Sequence, residues 1–283
     1  MTFANLALGL LVSIAAVIVI LWGVRMFDRS RPTPRVITYA TLGLGALACA
    51  PAVLIELLTR QLLGDALLIG GRFLDAFVVA ALVEESLKLT VVLAYSRRRA
   101  GILDVMDGIV YCVAASLGFG LLENAVFAAT DPHTAALRAV TAVPLHAVAS
   151  GVMGYGVGRS QFVRKESRLA VLAMGLALAV LIHGFYDWAV FYRGPYWEAQ
   201  SLTVLVVGVA LLLWLLRHAM QMDTAMYGPD ALASVEHPWP ANITSTLAPA
   251  PPSGAPRPAK LIAPAPIVPP SKSAQHSGSD ESR

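Results

Sequence analysis

Residues 73–95 read FLDAFVVAALVEESLKLTVVLAY, an apolar stretch with two glutamates and a lysine near its middle. A helix needs about 20 predominantly apolar residues to cross the hydrocarbon core of a bilayer, and this stretch is long enough. Each charged residue at the centre of such a helix costs about 2.5–3.5 kcal/mol on insertion scales. The charges of Glu84, Glu85 and Lys88 therefore predict a polar site that further membrane helices enclose.

The composition of the whole chain predicts those further helices. Of 283 residues, 57% are hydrophobic and 14% are charged, whereas soluble domains contain about 45–50% apolar and about 25% charged residues. We therefore predict an integral membrane protein with an all-α fold, a polytopic transmembrane helix bundle of about seven spans, because isolated strands would leave backbone groups unpaired in lipid. The predicted spans are residues 3–24, 36–58, 73–95, 108–129, 139–158, 169–190 and 201–216.

The basic residues between the spans predict the orientation of the chain. Eleven lysines and arginines lie in the first, third and fifth connections, and only four lie in the alternate ones. Because positive connections stay in the cytoplasm, we expect the N-terminus outside and the C-terminal segment inside. The formal net charge of +3 comes largely from these short runs, so it does not indicate a nucleic-acid partner.

Residues 1–217 form the predicted membrane domain, with a motif-bearing core at 73–192. Residues 218–283 contain 12 of the 18 prolines and predict a disordered Pro-rich cytoplasmic tail, because such a segment buries too little apolar surface to offset its ordering entropy. Cys49 and Cys112 both lie in apolar stretches, so neither a disulfide framework nor a Cys-ligated zinc site is expected.

Ionisable residues lie inside four consecutive predicted spans. Glu84 and Lys88 are four residues apart, as are His183 and Asp187, so each pair shares one helix face. With alternating helix directions and a rise of about 1.5 Å per residue, all these groups come to one layer between the midplane and the outer face. The full set of predicted site residues is Glu84, Glu85, Lys88, Glu123, His146, His183 and Asp187.

The charge of this set indicates two possible chemistries. Four carboxylates and one lysine leave a charge of −3 when the histidines are neutral. An apolar pocket does not tolerate that charge, so either some carboxyl groups stay protonated or a divalent cation binds. Two histidines with a carboxylate suit zinc with an open position for water, and a remaining glutamate would act as general base. A glutamate without metal would also activate water, and both mechanisms stay open.

The order of the motifs resembles one protease family. Residues 84–88 read E-E-x-x-K, residues 119–123 read F-x-x-x-E, His146 stands on the next span, and residues 183–187 read H-x-x-x-D. This pattern resembles the PrsW family of intramembrane proteases, which is related to the CAAX-processing and bacteriocin-protection membrane proteases. No H-E-x-x-H or G-x-G-D motif of other intramembrane proteases occurs in the chain.

The resemblance implies hydrolysis of membrane-anchored protein substrates in the outer half of a bacterial plasma membrane. Some family members make the first cut in regulated intramembrane proteolysis of anti-sigma factors. The family is usually grouped with metalloproteases, which implies a zinc ion held by Glu85, His146 and His183, although related families are argued to use glutamate without metal. The partners implied are the protein substrate and the lipid bilayer, and the sequence does not indicate an oligomeric state.

Three other interpretations compete with an intramembrane peptidase. An ion- or proton-coupled transporter would use the Glu/His set as a relay, but the internal repeat and paired broken helices of many transporters are missing from the sequence. A pseudo-enzyme would only bind membrane partners. Residues 149–151 (ASG) faintly resemble a rhomboid nucleophile turn with His183 as base, but that interpretation would leave the glutamates unexplained.

Overall fold

The computed structural model describes residues 3–62, 64 and 71–227. Within these ranges the regular structure is helical and no strand occurs. The α-helices are α1 (Phe3–Arg25), α2 (Arg35–Leu62), α3 (Leu82–Val91), α4 (Val105–Thr130), α5 (Pro132–Val140), α6 (Ala142–Arg159), α7 (Lys165–Tyr192) and α8 (Trp197–Tyr227). The predicted all-α bundle is confirmed.

The third predicted span is helical but irregular. Helix α3 carries Glu84, Glu85 and Lys88, and a π-helix lies on each side of it, Asp75–Ala81 before and Val92–Ser96 after. A last α-helical turn follows at Arg97–Arg99. Short π segments inside α-helices are found frequently at functional sites.

Helix α4 lies at the centre of the bundle. Every residue from Val105 to Gly120 is buried, and α1, α2 and α6 pack around it. Glycines bring α4 and α6 close together: a Cβ atom on Gly154 would lie 2.5 Å from the carbonyl oxygen of Gly108 and 2.7 Å from Cα of Ile109. Small residues at helix interfaces allow such close packing in membranes. This packing places His146 of α6 beside Glu123 of α4.

The outer helix faces are apolar and exposed, as a lipid environment requires. Large hydrophobic side chains such as Leu47, Leu169 and Val207 are exposed on α2, α7 and α8. Five helical segments are long and apolar enough to cross a membrane, and Gly9–Arg25 forms a shorter apolar helix. The chain is therefore a multi-pass membrane protein, in agreement with the sequence.

The two ends of the bundle carry different side chains, and they are called the arginine end and the site end. At the arginine end, where α4 begins, Asp104 caps α4 and Arg31 pairs with Asp104 at 2.9 Å and with Asp107. Burial raises the pKa of the Asp104 carboxyl group despite the neighbouring Arg31. At the site end, α4 ends at Thr130, α6 begins at Ala142 and α7 ends at Tyr192.

The last helix continues ten residues past residue 217, where the sequence predicted the membrane domain to end. Asp223 explains the difference, because its carboxylate accepts hydrogen bonds from the backbone N–H groups of Val105 (3.2 Å) and Met106 (3.1 Å) at the start of α4. This contact fixes the end of α8 to the bundle. The remainder of the predicted tail, residues 228–283, lies outside the described residues.

Candidate active site

The seven predicted site residues meet in one cluster. Helix α3 contributes three of them, α4 and α6 contribute one each, and α7 contributes two. Glu123 precedes the end of α4 by seven residues and His146 follows the start of α6 by four, so the cluster lies toward the site end. The members are Glu84, Glu85, Lys88, Glu123, His146, His183 and Asp187.

Lys88 lies at the centre of the cluster and is fully buried. Its ammonium group donates to Glu84 Oε2 at 3.0 Å and to Glu85 Oε1 at 2.8 Å, and it lies 3.0 Å from Nδ1 of His146. The ring of Phe119, the first residue of F-x-x-x-E, lies 4.4 Å from the same nitrogen. The buried ammonium group thus pairs with both carboxylates at once, which offsets the cost of burying its charge.

His183 is held between two carboxylates. Its Nδ1 lies 3.0 Å from Glu85 Oε1, and its Nε2 lies 3.3 Å from Asp187 Oδ2. The imidazole of His146 packs edge-on against it, with ring centroids 4.9 Å apart. His183 and Asp187 of H-x-x-x-D thus make the predicted contact within one helix. The contact of His183 with Glu85 connects α7 to α3.

Glu123 connects His146 to a residue that sequence analysis missed. One carboxylate oxygen lies 2.9 Å from His146 Nε2, and the other accepts a hydrogen bond from Arg138 of α5 at 2.5 Å. With Arg138 included, the four carboxylates face two cations, so the charge with neutral histidines is −2 rather than the −3 expected. The only signal in the sequence was a basic residue in an otherwise charge-poor connection.

Ser150 is a second residue whose role the sequence did not indicate. Its buried hydroxyl donates to Glu85 Oε2 at 2.6 Å, while the other oxygen of Glu85 contacts Lys88 and His183. The serine therefore orients a carboxylate. This contact differs from the serine–histidine pairing that a rhomboid-like mechanism would need.

Close helix packing brings the histidines to their positions. A Cβ atom on Gly120 would lie 2.7 Å from Cδ2 of His146, so only glycine leaves room for that ring. On α7, Gly184 lies directly against the ring of Phe77. Both glycines stand inside the motifs F-x-x-x-E and H-x-x-x-D, where their small size has a packing reason.

A cavity of about 330 Å³ opens onto the cluster. Glu84, Glu123, His146, His183 and Asp187 line it, whereas Glu85 and Lys88 are buried behind them. Helix α2 supplies part of the opposite wall, including Cys49, Glu56 and Arg60. Sequence analysis gave Glu56 no role; in the structure its carboxylate lies 3.6 Å from Arg60, four residues further along α2.

Three residues around the cavity offer a suitable donor set for a metal ion. One ligand atom each from Glu84, His146 and His183 lie within 4.8 Å of one another. Glu84 Oε2 lies 3.8 Å from His146 Nδ1 and 3.9 Å from His183 Nε2. The other nitrogen of each ring faces a carboxylate, Glu123 or Glu85, as is usual for histidines that bind zinc. The donor set fits zinc, with Glu84 in the position that the sequence assigned to Glu85.

Comparisons with known proteins agree with the motifs. A family model described as "PrsW family intramembrane metalloprotease" matches residues 33–216. The protein named Protease PrsW from Clostridioides difficile (strain 630) is 30% identical over 145 residues, covering 49% of this chain and 59% of that protein. The Protease PrsW of Geobacillus kaustophilus (strain HTA426) is 39% identical over 115 residues, covering 40% and 51%.

A third relative, Protease PrsW of Bacillus subtilis (strain 168), is 34% identical over 119 residues, covering 42% of this chain and 55% of that protein. The chain spans about half the length of the curated relatives that it matches. No solved structure matches the chain significantly.

Proposed function

The chain belongs to the PrsW family of intramembrane metalloproteases, and from that premise we propose that it hydrolyses peptide bonds in membrane-anchored protein substrates. The observation that carries this proposal is the cavity beside the Glu/His/Lys cluster. It brings carboxylates and imidazoles from four helices to one space of about 330 Å³. Proton transfer by such groups is the chemistry that amide hydrolysis needs.

The geometry suggests a role for each residue. Glu84 and Glu123 line the cavity, so they are placed to accept a proton from the attacking water. When no metal is bound, His183, which lies between Glu85 and Asp187, is placed to pass a proton to the leaving amine. Lys88 and Ser150 hold Glu85, and Arg138 holds Glu123.

A metal ion would be held by the residues with the fitting donor set. Glu84, His146 and His183 would supply the ligands. Zinc bound there would act as a Lewis acid that polarises the scissile carbonyl and the attacking water. In that case His183 would be a ligand and not the proton donor. Glu123 and Asp187, which line the cavity outside the donor set, would be the carboxylates that accept a proton.

The position of the cluster supports a cut in the outer half of the bilayer. Its residues lie toward the site end, opposite the end that carries Arg97–Arg99. Because positive connections stay in the cytoplasm, the site end faces outward in this proposal. A first cut there in regulated intramembrane proteolysis, for example of an anti-sigma factor, agrees with this depth.

An ion-coupled transporter fits the packing less well. A transport path needs polar groups or water across the full thickness of the bilayer. Between Asp107 and Glu123 the side chains of α4 are buried from Gly108 to Gly120, and nearly all of them are apolar. Along α4, no charged side chain connects the polar cluster to the arginine end, as expected for a one-sided hydrolytic site.

The test is cleavage of single-span reporter proteins by the purified protein in liposomes. We expect Glu84→Gln and His183→Ala to lower the rate at least about 100-fold, because general acid–base catalysis contributes about 10²–10⁴-fold. Glu166→Gln, at an exposed position at the start of α7, is the matched control and should cleave normally. Undiminished cleavage by both site variants, with unchanged thermal unfolding, would overturn the proposal.

A further inference from the structure

A second concave surface adjoins the cavity at the site end. This groove has a volume of about 610 Å³ and lies between α5, the end of α7 and the start of α8. Its volume falls within the range of about 300–1,000 Å³ that is typical of ligand pockets. The lining is mostly apolar and includes Leu137, Val190, Trp197, Leu202 and Leu205.

The groove adjoins the cavity that holds the cluster. Four residues line both spaces: Phe127, Arg138, Tyr186 and Phe191. A segment that lies in the groove would therefore be next to the cavity that holds the cluster. This shared lining distinguishes the groove from the apolar surfaces elsewhere on the bundle.

Arg138 stands at the junction of the two spaces. Its guanidinium donates to Glu123 and lies over the ring of Phe127, with Cζ 3.9 Å from the centroid. Its Nε is buried and has no hydrogen-bond acceptor among the described residues. Because this nitrogen is enclosed by protein atoms, Arg138 forms part of the wall that the cavity and the groove share.

From these observations, and resting on the proposed function, we propose that the groove is a substrate subsite. It binds large apolar side chains of the protein substrate next to the scissile bond, and the chain enters the cavity past Arg138. A polypeptide fits better than a lipid, because the groove adjoins the cavity that holds the proposed hydrolytic cluster and shares four lining residues with it. The proposal predicts selectivity for leucine- or phenylalanine-sized residues on one side of the cut.

The test fills the groove and uses a matched control on the same helix. Leu202 lies in the groove and is 56% exposed, whereas Val206, one turn further along α8, is 58% exposed and lies outside the groove lining. The variants are Leu202→Trp and Val206→Trp. The probe is a single-span reporter with a Leu- and Phe-rich segment around the cut, in which each residue near the cut is replaced by alanine in turn.

For the wild type, we expect alanine at one apolar position to raise KM about tenfold or more, the discrimination typical of an apolar pocket. Leu202→Trp should raise KM for the parent reporter by a similar factor and abolish the effect of that alanine. Val206→Trp should behave like the wild type. Equal KM values for both tryptophan variants, or the same alanine effect in Leu202→Trp as in the wild type, would overturn the subsite.

Two further outcomes separate this proposal from its rivals. A co-purified phospholipid that Leu202→Trp removes, with unchanged cleavage preferences, would identify a lipid site and overturn the proposal. If the wild type cleaves none of the reporters, the proposed function fails, and anisotropy of the fluorescein-labelled reporter segment then tests the groove alone. Binding at least about tenfold weaker in Leu202→Trp than in Val206→Trp would still support the subsite, and equal binding would overturn it.

Discussion

Lys88 shows how a single side chain organises the site. Its ammonium group contacts Glu84, Glu85 and His146, and thereby joins α3 to α6. Two of those contact atoms, Glu84 Oε2 and His146 Nδ1, also belong to groups that fit a metal ion. A divalent cation would therefore bind the same two atoms that contact the ammonium group. The repulsion between the two cations would favour a position of Lys88 in which it pairs only with Glu85.

This arrangement leads to a prediction about metal content. We expect about one zinc per chain in freshly purified protein, as in catalytic zinc sites with three protein ligands. Glu84→Ala and the His146→Ala/His183→Ala double variant should lose that zinc, because they remove the donors. Elemental analysis of the protein in detergent measures the content directly.

The control for metal content is Glu56→Ala. Glu56 lines the same cavity but is not among the three donors, so this variant should keep its zinc. A zinc-free wild type that still cleaves its substrate would contradict the prediction. Hydrolysis would then depend on the glutamates alone, with Glu84 as general base.

At the scale of elements, the π-helices around α3 show how the motif is presented. The segment before α3 places Phe77 against Gly184 of α7 and stacks it on Phe73 at 4.3 Å. The edge of Phe77 also meets Phe185 at 5.0 Å. These contacts fix the rotation of the third span relative to α7, and so determine which face of α3 meets His183.

Glycine packing between α4 and α6 gives a prediction for stability. Gly154→Ala should lower the free energy of unfolding by about 1–3 kcal/mol, because overpacking a tight interface forces backbone shifts. The added Cβ would meet the carbonyl oxygen of Gly108 at 2.5 Å. Activity should fall as well, because His146 lies two turns away on the same helix. Unfolding in detergent, followed by circular dichroism, measures the change.

Gly43→Ala provides the comparison on α2. A Cβ atom there would have no neighbour within 4 Å among the described residues. Alanine in a helix interior is favoured over glycine by about 0.5–1 kcal/mol, so this variant should be as stable as the wild type or more stable. Equal losses in both variants would show that the close contact of α4 and α6 does not limit stability.

The whole molecule is asymmetric along the bundle axis. The arginine end carries Arg97–Arg99 and the buried pairs of Arg31 with two aspartates. The site end carries the cavity beside the Glu/His/Lys cluster, the apolar groove and aromatic residues such as Tyr192 and Trp197. Aromatic side chains of this kind are enriched where helices leave the bilayer.

This asymmetry predicts the orientation in the cell membrane. A membrane-impermeant maleimide should label Tyr196→Cys in intact cells and Arg98→Cys only after permeabilisation, because arginine-rich connections remain cytoplasmic. Both positions are exposed in the structure. The native Cys49 and Cys112 are free and buried, and the unsubstituted protein measures their background. The reverse labelling pattern would contradict the predicted orientation and the outer placement of the site.

Much of this protein could be read from the sequence, because some of its signals are local. Apolar length predicts membrane helices, and a spacing of four residues places Glu84 beside Lys88 and His183 beside Asp187. Charges that cannot face lipid must face one another, so the cluster itself was predictable. The structure brings all seven predicted residues together.

Only the tertiary structure decided which atoms meet across helices. Ser150 donates to Glu85, 65 residues away, and Arg138 to Glu123 on a neighbouring helix. The sequence also did not specify that Glu84, and not Glu85, lies near both His146 and His183. Such contacts depend on the rotation and depth of each helix. The close packing at glycines and the π segments determine that rotation and depth. A periodic pattern specifies which face of a helix is polar, but it does not specify which partner that face will meet.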